Sequence, residues 1–150
     1  MTVSSIAELE RAIRDNVNDA LLDDVGKAAQ DALALYAQRV VYDAYSPKEY
    51  KRRETLNDPN MYRPSLKSDN VLFVESVAAS NYSVVDGYSR GNSALAYWIQ
   101  FGLVPNIFND RTYIWEESRP FVTMASTYLR EGIAVEALKN GMRKRGFQVV

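Results

Sequence analysis

The stretch from Ser5 to Ala44, SIAELERAIRDNVNDALLDDVGKAAQDALALYAQRVVYDA, decides the fold. Apolar residues recur at Ile6, Leu9, Ile13, Val17, Leu21, Val25, Ala28, Ala32, Tyr36 and Val40. Steps of three and four put them on one stripe of an α-helix. Glu10, Arg14, Asp15, Asp19, Asp23 and Lys27 fall on the opposite face. Ser5-Ile6-Ala7-Glu8 reads as a capping box that opens the helix. Ser46-Pro47 closes it, because a residue before proline is pushed out of the α region. A straight helix over this stretch would be ~60 Å long at ~1.5 Å per residue, against ~30 Å across a domain of this size. It therefore bends, at Gly26, where glycine costs about 1 kcal/mol against alanine, or it projects and packs on other subunits.

Downstream, Glu54–Asn70 carries Pro59, Pro64 and several Asn, Asp and Ser, which predicts a long loop that orders on contact with a partner. Val71–Val77 is β-branched and aromatic and reads as a strand, and Tyr82–Val85 as a second. Leu95–Phe101 reads as a short buried helix, capped by Asn92 or Ser93 and ended by Gly102. Two strands alone make no stable sheet, so a third or fourth is expected within Leu103–Trp115. Arg119-Pro120-Phe121 opens a helix with proline in its first turn, running to near Arg130. Gly132 separates it from a last helix, Ile133–Arg145, which Gly146 ends, and Phe147–Val150 is expected as a terminal strand. The fold class is α+β: a long N-terminal helix and a small antiparallel sheet packed by two or three further helices. One domain spans residues 1–150, with a helical arm over 1–45, a loop over 46–70 and an α+β body over 71–150.

With 150 residues the chain has material for one core. Hydrophobic residues at 47% and charged residues at 25% are a globular balance. Lys plus Arg number 18 against 19 Asp plus Glu, so no global positive field exists to hold nucleic acid. The absence of Cys excludes disulfides, thiolate metal sites and thiol nucleophiles. The absence of His removes the commonest general base and transition-metal ligand. The N-terminus is charged within ten residues and no run nears the ~20 apolar residues of a membrane span. A soluble protein that folds in a cytoplasm and contacts no membrane is expected.

The clusters that remain suit contacts better than catalysis. Asp19, Asp23 and Asp24, with Glu8 and Glu10 upstream, could bind a divalent cation, but a solvated acidic face is the commoner meaning of such a run. Lys48, Lys51, Arg52 and Arg53 lie beside Tyr42, Tyr45 and Tyr50. They suit nucleic acid, a helix C-terminus or, best, docking on a neighbouring subunit, where Tyr and Arg are favoured anchors. Lys139, Arg143, Lys144 and Arg145 close the last helix; with the acidic first helix they suit head-to-tail packing in a ring. Trp98 and Trp115, with Tyr97, Phe101, Phe108 and Tyr113, make an aromatic-rich middle of core and interface type. No phosphate-binding glycine loop, nucleophile elbow or dinucleotide fingerprint is present. No catalytic residue, cofactor site or metal site is assigned, and a non-enzymatic protein is expected.

The order of motifs resembles a family of small neck proteins of long-tailed bacteriophages, head–tail connectors of the tail-completion type. The residues that carry the likeness are Tyr45, Pro47, Tyr50, Arg52 and Arg53; Ile99 and Gly102 at a helix end; Arg119-Pro120-Phe121; and the tail from Leu138 to Gly146. Glu54-Thr55-Leu56-Asn57-Asp58 departs from the family's Gly-Gly-Leu-Leu-Asp, and Phe101, preceded by Gln100, stands where the family has Glu. The resemblance implies a virion structural protein at the head–tail junction. It implies a homo-oligomeric ring of six or twelve copies that contacts neck, head-closure and tail-tube proteins, with genome DNA passing through its channel without specific binding. Tyr42, Tyr45, Tyr50, Arg52 and Arg53 are the candidate assembly residues. A tail terminator ring is the alternative in the same class. A small nucleic-acid-binding or regulatory protein using residues 42–53 is the alternative in another.

Overall fold

The computed structural model describes residues 5–44, 56–77, 99–105, 112–114 and 118–149. Helix α1 spans Ile6–Ala20 and α2 spans Gly26–Ala37. Ser5 caps α1, its hydroxyl accepting from Glu8 N at 3.2 Å, as the capping box predicts. No break occurs at Gly26, which is helical at φ −58°, ψ −45°. The helical path instead widens into π turns at Leu21–Val25 and Gln38–Tyr42. Gly26 matters for packing instead. A Cβ there would lie 2.8 Å from Cβ of Pro64, so glycine lets a strand approach the helix closely.

That strand, β1 at Tyr62–Ser68, lies inside the predicted loop and is preceded by a 3₁₀ turn at Pro59–Met61. It pairs antiparallel with β2, Val71–Ser76, in the register Tyr62 with Ser76, Ser65 with Phe73 and Leu66 with Leu72. Pro64 removes a ladder donor, which an edge strand tolerates; among the described residues β1 has β2 as its strand partner. Asp69-Asn70 form the turn, with Asn70 left-handed at φ 61°. The predicted extra strands exist as β3, Leu103–Pro105, and β4, Thr112–Ile114. They pair with each other, not with the hairpin. The predicted strand Tyr82–Val85 lies outside the described residues.

Helix α3 runs over Phe121–Tyr128, with Pro120 at its N-cap and not in its first turn. Gly132, at φ 112°, separates it from α4, Ala134–Lys144. Phe147–Val149 carry no strand. Gly146, at φ 87°, turns the chain back, so that Phe147 N donates to Met142 O at 3.1 Å and the Val149 carbonyl accepts from Arg143.

The main cluster joins Ala34, Ala37, Val41, Leu56, Tyr62 and Phe121. Alanines on α2 let both α3 and the hairpin pack closely on it. Burying Phe121 completely contributes about 1.5–3 kcal/mol by transfer alone. Among the described residues no helix is long and apolar enough to cross a membrane.

Candidate assembly surface

Of the five candidate residues, Tyr42 is described; Tyr45, Tyr50, Arg52 and Arg53 lie outside the described residues. Tyr42 is half-buried against the main cluster. Its hydroxyl accepts from Leu56 N at 3.0 Å, while the Tyr62 hydroxyl donates to Leu56 O at 2.7 Å. Leu56 is buried outside any helix or strand, and these two tyrosines satisfy both of its backbone groups. Asn57 Nδ2 adds a bond to Gln38 Oε1 at 2.6 Å. The chain therefore leaves at Ala44 and returns at Leu56 through a closed base, and the other four candidates lie on the stretch between. Burial, with Tyr42 nearby as the smaller cause, holds the Tyr62 phenol above its ordinary range, so it stays a donor.

Part of the acidic and basic charge of the first and last helical segments meets within the chain. Asp24 accepts from Lys144 Nζ at 2.6 Å and from Arg145 NH1 at 2.8 Å, and Arg145 NH2 reaches Asp23 at 2.7 Å. The π turn at Leu21–Val25 presents both carboxylates to one guanidinium. Gly141 makes this possible, since a Cβ there would overlap the Asp24 carboxylate and lie 2.9 Å from Cβ of Ala20. The hydrogen bond from Lys144 is the largest cause holding the Asp24 carboxyl below its usual range, with Arg145 adding to it against the opposing effect of burial. This contact fastens α4 to the α1–α2 junction and engages Asp23, Asp24, Lys144 and Arg145 within the chain.

Among the described residues several large apolar side chains stay exposed. Ser5 to Arg11 are exposed on every side. Ile6, Leu9 and Ile13, at the start of the predicted stripe, are 77%, 45% and 40% exposed. Of that stripe Val25 and Ala32 are buried, and the rest of the buried face runs through Ala20, Ala29, Ala34, Ala37 and Val41, so periodicity finds an apolar helix but not the face that the body covers. On β2, Val71 and Phe73 face outward, with Phe73 48% exposed. The predicted buried helix ending at Phe101 also has an exposed terminus, Phe101 itself. Its neighbour Gln100 caps α3, Oε1 accepting from Val122 N at 3.0 Å and Nε2 donating to Thr123 Oγ1 at 2.6 Å. Arg119 donates to the Val41 carbonyl at 3.2 Å, which suits a cation at a helix end. Tyr97, Trp98, Phe108 and Trp115 lie outside the described residues.

Residues 5–144 match the family YomN, nearly the whole chain. The chain belongs to the YomN family. This family is phage-derived, of Bacillus prophage type, so the protein is phage-related. No curated protein and no solved structure matches it.

Proposed function

We propose that the chain is a structural protein of the phage neck, forming a homo-oligomeric ring that joins the DNA-filled head to the tail. The observation that carries this reading is the apolar helical end, Ile6 to Ile13, standing clear of the body of a phage-related protein. A stripe of this kind, rimmed by charge, marks a protein interface. The order of sequence motifs shared with neck proteins supports the position at the head–tail junction. The reading is non-enzymatic: without His or Cys, contacts and not chemistry are what the residues supply.

In this reading Tyr45, Tyr50, Arg52 and Arg53 act from the stretch based at Tyr42 and Leu56, touching a neighbouring subunit or neck protein. Replacing Arg52 and Arg53 by Glu should leave heads and tails unjoined while circular dichroism stays that of the wild type. Normal joining by that variant would refute the assignment.

A further inference from the structure

Contacts along the chain fix how the hairpin lies on the long helix. Asp69 at the hairpin tip accepts from Arg14 NH1 at 3.4 Å and Asn18 Nδ2 at 3.5 Å, and Asn70 N donates to Asn18 Oδ1 at 2.8 Å. Pro64 sits at Gly26, and Gln30 donates to the Tyr62 carbonyl at 2.6 Å. The hairpin therefore runs lengthwise beside residues 14–30 with its tip toward the N-terminus. Ile6–Ile13 overshoots that tip by ~12 Å at ~1.5 Å per residue. Two exposed apolar patches result. One is the overshooting stripe. The other is the outward hairpin face, where Phe73 stands opposite Ser65 and Glu75 opposite Arg63, with Val71 next along β2.

Their charges differ in sign. Around the stripe stand Glu10 and Asp15 against Arg11, while Arg14 is engaged by Asp69. With Asp69 so held, the rest of the hairpin carries Arg63 and Lys67 against Glu75. Arm-on-arm pairing would set the acidic excess against itself and leave Phe73 bare. Arm-on-hairpin pairing covers both patches and opposes their charges. A hairpin strand of six residues, at ~3.3 Å each, is long enough to receive a ~12 Å arm.

We propose that Ile6–Ile13 of one copy docks on the outward hairpin face of the next copy, Leu9 against Phe73, as a head-to-tail contact. It rests on the ring reading, for which it names the contact between copies; such a contact repeats, and closes where the rotation allows.

The absence of cysteine allows a clean test. Leu9→Cys and Phe73→Cys variants, both at exposed positions, are mixed when dilute, concentrated, oxidised, and examined by mass spectrometry and light scattering. The expected result is a Leu9–Phe73 cross-link in several-fold excess over either same-site link. Glu10→Lys should cut that yield several-fold, and Lys67→Glu on the partner should restore it. Predominant Leu9–Leu9 links would overturn the proposal in favour of symmetric pairing. A ring mass without the Leu9–Phe73 link would overturn it while leaving the ring reading standing. A monomer at every concentration, with no link, would overturn both.

Discussion

Gly141→Ala in the middle of a helix should stabilise by about 1 kcal/mol on propensity alone. The packing of α4 reverses the sign. The added Cβ would lie 2.9 Å from Cβ of Ala20, against ~3.5–4.0 Å for comfortable carbon contact. It would also overlap the Asp24 carboxylate, which cannot swing aside without giving up Lys144 at 2.6 Å and Arg145 at 2.8 Å. Moving α4 outward by ~0.5–1 Å relieves the carbons at the usual overpacking cost of about 1–3 kcal/mol. Turning Asp24 away forfeits hydrogen bonds between charged groups, about 1.5–3 kcal/mol where they are protected. The Lys144 share is smaller, because that side chain is 69% exposed and exposed pairs contribute about 0–1 kcal/mol. After the propensity gain, either route leaves a net loss of up to about 2 kcal/mol. For a domain of this size a loss of about 2 kcal/mol lowers Tm by about 4–8 °C. Urea unfolding at fixed pH and salt measures it directly, and a double-mutant cycle with Asp24→Ala should show strong coupling. A Gly141→Ala variant as stable as the wild type, or more so, would refute the claim that α4 needs glycine to seat against Asp24.

Other expectations follow from single contacts. Tyr62→Phe keeps the ring but strips the donor from Leu56 O, and should cost about 1–3 kcal/mol, read from the urea midpoint. Tyr42→Phe, which orphans Leu56 N, should cost at least as much; a neutral result in both would show that Leu56 is held by other means. Asp24 sits below its ordinary value of 3.8, so its contribution is present above that pH and is lost as pH falls below it through the folded value. The stability gap between wild type and Asp24→Asn should therefore be full near neutrality and shrink in acid below about pH 3.8; a gap that widens in acid would contradict the ion pairs.

The long helix was legible because its apolar steps run unbroken from Ile6 to Val40, and Ser5 and Gly146 mark helix ends by capping and backbone rules that act locally. Strand β1 was not legible, since Pro64, Ser65 and Ser68 have no strand preference of their own. What makes it a strand is pairing with β2 and the seat at Gly26, both tertiary. The one local sign was the Asp69-Asn70 turn, which asks for a strand on each side. Phe147–Val149 shows the converse: strand-forming residues lost to a helix end that folds back on itself. At the candidate site, chemistry indicated which residues carry charge but not whom they meet. Asp24 and Lys144 are 120 positions apart, a pairing no spacing rule reaches.

The closure at Leu56 has a consequence for handling the molecule. Two tyrosines and an asparagine–glutamine bond hold the points where the chain departs and returns, and none of these groups comes from residues 45–55. Substitutions at Tyr45, Tyr50, Arg52 or Arg53 therefore leave the groups that make these bonds in place. An assembly defect in such a variant can be read apart from loss of the anchor.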